Sequence, residues 1–223
     1  LTYFGIETKR FNQAIKEKIS ENNNKINIEL NKVKIVLNPL NFTIATKTKN
    51  PNIIVGDNKI KLEKINANLS LRSFFKKEFS IKNAKIITKE NNLKEIISLI
   101  RIINNSPQLF IADQMIQEGN IFANIDLYFN ENGKLLRNFS IKGSVKNGKV
   151  KLINKKSISN IDFNFDIEDK QYLLGNAEIE YEKIKFSSKK IKIKNKNNSL
   201  LFEGDFSSSK TTINSSLLTH IFK

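Results

Sequence analysis

Ile121-Phe122-Ala123-Asn124-Ile125-Asp126-Leu127-Tyr128-Phe129 is the stretch whose period decides the fold. Successive side chains of a β-strand point to opposite faces, so Ile121, Ala123, Ile125, Leu127 and Phe129 share one face of a strand. The same period of two returns in Phe139, Ile141, Gly143 and Val145, and again in Ile161, Phe163, Phe165 and Ile167, which alternate with Asp162, Asn164 and Asp166. Strands wetted on one side only carry such a pattern, and at this spacing they read as an antiparallel meander.

Working outward toward the N-terminus, the alternation continues in Ile26, Ile28 and Leu30, then one register later in Val33, Ile35 and Leu37. The change of phase predicts a bulge or bend near Asn31. Asn38-Pro39 and Asn50-Pro51 mark turns, and Ile60, Leu62, Ile65, Ala67, Leu69, Leu71, Phe79, Ile81 and Ile86 predict further strands. Toward the C-terminus, Asn132-Gly133 and Asn147-Gly148 carry the residues of hairpin turns, because both tolerate positive φ. Ala177, Ile179, Tyr181, Ile184, Phe186, Ile191, Ile193, Leu200 and Phe202 extend the series.

Two segments have helical period instead. Phe11, Ile15 and Ile19 recur every four positions among Lys9, Arg10, Lys16 and Lys18, which predicts a short amphipathic helix within 4–20. Leu93, Ile96, Ile97, Ile100 and Ile103 form a broad stripe that predicts a helix near 92–104, capped by Asn92 and closed by Ser106-Pro107. The stretch from Pro107 to Glu118 fits either a second short helix or an irregular link. The expected organisation is an N-terminal helix over 1–21, one β domain over 22–206 with the helix near 92–104 inserted, and a 207–223 tail that is ragged or begins further repeats. The expected class is mainly β, or β-rich α+β: a long antiparallel meander, curved into a groove with one apolar face, with an N-terminal amphipathic helix and one central helix. Two helices are few to cover so many half-apolar strands, so either the sheet folds over on itself or part of its face stays open to a ligand.

The net charge of +16 attracts the chain to something anionic. Its lysines are spread along the strands and its phenylalanines fall at inward positions, which argues against a nucleic-acid surface of clustered cations and stacking rings. With no cysteine and one histidine, His220, neither a thiolate site nor a histidine metal cluster nor a Ser-His pair can be assembled. Gly143 to Lys149 matches the glycine spacing of a phosphate loop, but Val150 stands where Ser or Thr would hold magnesium and the strand pattern continues. Asp162, Asn164, Asp166 and Glu168 imitate half a calcium loop, yet Ile167 occupies its glycine position. No enzyme activity and no cofactor are expected. No run reaches the roughly 20 apolar residues of a membrane-spanning helix.

The ordered series of Tyr3-Phe4-Gly5-Ile6-Glu7, a basic helix with Phe11 and Ile15, alternating strands, a lone helix and further long strands resembles the N-terminal region of the AsmA-like family. These are bacterial envelope proteins similar to bridge-like lipid-transfer proteins built of repeating β-grooves. The resemblance implies phospholipid as the ligand, a location on the periplasmic side of the inner membrane, a membrane anchor trimmed from before Leu1, and a role in inter-membrane lipid transport or outer-membrane maintenance. On that reading Ile121, Ala123, Ile125, Leu127, Phe129, Phe139, Ile141, Ile161, Phe163, Phe165 and Ile167 line the groove, the helix Leu93 to Ile103 plugs or caps its end, and Lys9, Arg10, Lys16 and Lys18 lie at anionic headgroups. The alternative from the residues alone is a structural or partner-binding β domain with a closed core, its basic helix face merely solvated.

Overall fold

The computed structural model describes residues 6–9, 12–22, 24–38, 43–56, 58–70, 81–130, 134–136, 138–152, 156–168, 171–196 and 199–208. Strand makes up 69% of it, alongside three helices, so the mainly-β expectation holds. In chain order the elements are β1 (Ile6–Thr8), α1 (Asn12–Asn22), β2 (Ile26–Glu29), β3 (Val33–Asn38), β4 (Thr43–Lys49), β5 (Asn52–Val55), β6 (Asn58–Ser70), β7 (Ile81–Thr88) and β8 (Asn91–Asn92). There follow α2 (Leu93–Ile103), α3 (Pro107–Met115), β9 (Ile116–Tyr128), β10 (Ser140–Lys151), β11 (Ser157–Glu168), β12 (Gln171–Tyr181), β13 (Ile184–Lys196), β14 (Ser199–Gly204) and β15 (Ser207–Ser208).

The main sheet runs β1-β3-β4-β6-β7-β9-β10-β11-β12-β13-β14 and is not closed. All its pairings are antiparallel. From β9 to β14 each strand pairs with the next in sequence, the meander that the alternation implies, and β15 returns to pair with β13.

Near Asn31 the structure has the bend of the two expected alternatives, and the chain changes partner there. β2 pairs with β5, whereas β3 pairs with β1 and β4, so the phase slip marks the turn between strands of two different ladders. β6 joins the ladders: Asn58–Lys61 pair with β5 and Lys64–Ser70 with β4, with a register shift toward β7 between Leu62 and Lys64. That shift accounts for the opposite phases of Ile60-Leu62 and Ile65-Ala67-Leu69. Asn91 strengthens the junction by imitating a backbone unit. Its side-chain amide donates to the Lys61 and Lys89 carbonyls (3.0 and 2.7 Å), and its oxygen accepts from the Lys61 amide (2.8 Å).

Two predicted hairpins resolve differently. Asn132-Gly133 lies outside the described residues. Asn147-Gly148 is a bulge inside the continuous strand β10: Asn147 has φ 53, the register shifts on both sides, and the Asn147 amide donates to Asp162 Oδ1 at 2.7 Å. Positive φ serves a bulge as well as a turn, and the hydrogen bond to the next strand selects the bulge.

The predicted N-terminal helix begins later than its period suggests, at Asn12, because Ile6–Thr8 pair with Val33–Ile35 as an edge strand. Asn12 then donates to the Leu30 and Asn31 carbonyls, which ties the helix start to the β2–β3 turn. Leu93–Ile103 is helical as expected, with Asn92 accepting from the Glu95 amide. Pro107–Met115 is also helical, so the centre of the chain holds a helical hairpin in place of one helix. Ser106 caps α3, and Asp113 joins the two helices by accepting from Ser98 and Arg101. The Ser98 hydroxyl is the main reason that the Asp113 carboxyl lies below its usual range; burial opposes it and Arg101 adds to it.

The best-buried apolar side chains are Ile44, Leu62, Leu99 and Val55. The first two lie on β4 and β6, Val55 on the β5 branch and Leu99 on α2, which packs on β9, β8 and β6. The best-buried part of the core therefore sits where the short β2–β5 ladder and the helical hairpin meet the first half of the main sheet, while Val145, Ala177, Ile184 and Ile191 are buried on β10, β12 and β13. β10 to β14 contact chiefly one another.

Candidate functional site

Cross-strand partners in a sheet point to the same face, so the registers can be followed across the whole sheet. Starting at Val33, the partners are Thr48, Ile65, Ile86, Ile125, Ile141, Ile167, Tyr172, Ile193 and Phe202. This one row crosses β3 to β14 and holds no charged residue. Beside it runs a second row: Ala123, Gly143, Phe165, Leu174, Ile191 and Gly204.

The residues expected to act together fall into these rows. Ile121, Ala123 and Ile125 on β9 face Val145, Gly143 and Ile141 on β10, which face Phe163, Phe165 and Ile167 on β11. Leu127 pairs with Ala84 on the other side of β9. Ile161 stands opposite Gly148. Phe129 bridges to Leu135, and Phe139 precedes β10, so these two stand at the ends of their strands.

Gly143 is where a ring and the neighbouring backbone need room. A Cβ there would lie 2.1 Å from the Phe122 carbonyl oxygen and 2.5 Å from Phe165 Cζ. The Phe165 ring thus lies across the glycine, with Phe163 edge-on to it at 6.4 Å between centroids.

A line of irregularities crosses β9 to β12 at one level. It consists of Gly119 (φ 136), Asn147 (φ 53), Asn160 (φ 50) and Asn176 (φ 48), with register shifts in the β9–β10, β10–β11 and β11–β12 ladders. Each extra residue reverses the parity of its strand, which is why the apolar positions change phase between Val145 and Val150, Ile158 and Ile161, and Leu174 and Ala177. Beyond the line a third row resumes: Ile116, Val150, Ile158, Tyr181 and Ile184. A bulged strand bends and twists more than a regular one, so matched bulges in neighbouring strands bend the sheet along a line.

The alternate positions carry the charge. Lys142 pairs with Asp166 (3.0 Å) and Glu168 (2.8 Å), Lys146 with Asp162 (2.9 Å), Lys149 with Glu118 (3.3 Å) and Lys194 with Glu203 (2.8 Å). Glu168 raises the Lys142 pKa, and Lys142 in turn lowers that of Glu168. Burial pushes Asp162 up, but the Lys146 ammonium and the Asn147 amide outweigh it and hold the carboxyl below its usual range. The acids that imitate a calcium loop are thus engaged with lysines of the adjacent strand. Exposed pairs of this kind contribute little each, about 0–1 kcal/mol, and serve more to set register and keep the face wet.

No family model, curated protein or solved structure matches this chain.

The first row is buried at its N-terminal edge and holds its two exposed side chains, Tyr172 and Phe202, in the C-terminal half. Val33 is 2% exposed and Thr48 6%, whereas Tyr172 reaches 40% and Phe202 56%. Between them Ile125, Ile141, Ile167 and Ile193 are half-buried. The basic residues are less well gathered. Lys9 is exposed in the bend after β1, Lys16 is half-buried on α1, Lys18 lies on α1, and Arg10 falls outside the described residues. Sequence reasoning places Ile191 and Ile193 on strands without joining them to the site, and it misses Tyr172 and Leu174. The signal was present as alternation, but the phase reversals hid that both halves of each strand face the same way.

Proposed function

We propose that this chain is a non-enzymatic binder of phospholipid acyl chains, of AsmA-like type, holding the tail in a groove formed by the apolar rows of β9 to β14. The observation that carries the reading is the uninterrupted uncharged row from Ile125 through Ile141, Ile167, Tyr172 and Ile193 to Phe202, no member of which is fully buried. Strands lie about 4.8 Å apart, so the part of the row from β10 to β14 spans roughly 19 Å. One leaflet of a bilayer core is about 15 Å deep, and an acyl tail therefore fits along it. Burying acyl chain gains about 0.8 kcal/mol per methylene, so six methylenes already supply roughly 5 kcal/mol without a directed polar contact. Near-uniform aliphatic chemistry also leaves small barriers to sliding, which suits carriage between membranes. The bulge line supports a curved sheet, and the packing of α2 on β9, where the proposed groove begins, supports its part as a plug. A periplasmic setting, attachment to the inner membrane and a part in outer-membrane maintenance complete the proposal.

A second reading has its own support. Ile44, Leu62, Val55 and Leu99 form an ordinary closed core in the first half of the sheet, as a structural or partner-binding β domain requires. The two readings part at β10 to β14. Native mass spectrometry of the protein purified from cells, with extraction of whatever travels with it, separates them. The groove predicts adducts at phospholipid mass; a monodisperse, lipid-free protein would leave the closed domain.

A further inference from the structure

The turn between α2 and α3 presents apolar side chains that neither the sheet nor the proposed groove uses. Ile100 and Ile102 are each 40% exposed, Ile103 42%, Phe110 49% and Ile111 54%, all within the last turn of α2 and the start of α3. Leu99, on the docked side of α2, is 1% exposed. Scattered exposed aliphatics are ordinary, but five in one helix–turn–helix are a patch. They hold their places firmly. Asn104 donates to the Ile100 carbonyl, Ser106 caps α3, and the Arg101 guanidinium lies 4.8 Å from the Phe110 ring centre while pairing with Asp113.

We infer that this turn is a membrane-docking tip, which inserts Ile103, Phe110 and Ile111 into the surface of an anionic bilayer. Three observations favour a bilayer over a protein. First, the five side chains together expose on the order of 450 Å², about half of the ~800 Å² that each partner gives to a standard protein interface. Second, no Asp or Glu occurs from Ile96 to Ala112, the Lys25 ammonium donates to the Ile102 carbonyl at 3.1 Å, and Asp113, the next acid along the chain, is engaged by Ser98 and Arg101, so a cation and no unpaired acid of this stretch stands beside the tip. Third, the chain as a whole carries +16, which draws it to anionic headgroups before the apolar residues engage. Among the described residues no helix is long and apolar enough to cross a membrane, so the tip is an interfacial element. The inference does not depend on what occupies the sheet.

The chain contains no tryptophan, so Phe110→Trp places a single indole at the tip. Added to phosphatidylcholine vesicles containing one-third phosphatidylglycerol, this variant is expected to shift its emission to the blue and to be quenched by brominated acyl chains. Ile103→Asp combined with Ile111→Asp is expected to weaken partitioning into those vesicles by at least about tenfold, with circular dichroism and melting temperature unchanged. Three results would overturn the inference: equal vesicle binding by the double variant, sedimentation with vesicles without a blue shift, or an oligomer that the double variant dissociates, which would make the tip a contact between copies. Lipid that co-purifies with the sheet should survive the tip substitutions, so failure of this inference and failure of the groove are read separately.

Discussion

Gly143→Val is expected to destabilise the protein by about 3 kcal/mol or more, a large share of the roughly 5–15 kcal/mol that holds a typical domain together. The first atom of any side chain there would stand 2.1 Å from a backbone oxygen of β9 and 2.5 Å from the Phe165 ring on β11. A ring can turn away, but the Phe122 carbonyl is held in the β9–β10 ladder, so the strands themselves must part. Gly175→Ala is the matched control, because a Cβ there meets only the Lys189 carbonyl at 3.9 Å. Urea denaturation of the two variants should therefore differ widely, with Gly175→Ala near the parent. A Gly143→Val protein as stable as the parent would mean that β9, β10 and β11 do not share the register described.

The second large effect is on the ligand. Ile125→Asp together with Phe163→Asp should lower phospholipid occupancy by at least about a hundredfold, because each substitution removes an apolar contact worth about 1.5–3 kcal/mol and sets a carboxylate in its place. The neighbouring residues Asn124 and Asn164 lie on the opposite side of the same strands. Asn124→Asp with Asn164→Asp adds the same charge and should leave lipid in place. Extraction and quantification of bound phospholipid, with melting curves of both variants, decides the matter. Equal loss from both would show that added charge or lost stability, and not the side of the sheet, is responsible.

Much of this architecture is legible in the sequence, for physical reasons that also explain where reading fails. The period of two in Ile121 to Phe129 and Ile161 to Ile167 locates strands because a half-wet sheet imposes it, and Asn92 marks a helix start because its side chain satisfies a free amide. Asn147-Gly148 misleads, because positive φ is equally the mark of a bulge, and only the Asp162 side chain on the adjacent strand distinguishes them. The partner change at Asn31 is hidden for a related reason, since a phase slip does not say which strand comes alongside. The stretch of α3 reads as helix or link alike because its pattern is weakly amphipathic: Phe110 and Ile111 face outward, and tertiary bonds from Asp113 to Ser98 and Arg101 fasten it. Of the candidate site, the rows on β9 to β11 were readable. Their extension is only half readable: Ile193 and Phe202 show in the alternation, but Tyr172 and Leu174 are out of phase with Ala177, Ile179 and Tyr181, because Asn176 with its positive φ lies between them.

The central claim is that one side of β9 to β14 carries acyl chains, and the most direct test uses adjacent residues on opposite sides. A benzophenone amino acid placed at Phe163 in one protein and at Asn164 in another, irradiated in cells and analysed by mass spectrometry, reports what each side touches. Phospholipid is expected cross-linked at position 163 and none at 164. Cross-links to protein alone at 163, or lipid at both positions alike, would contradict it.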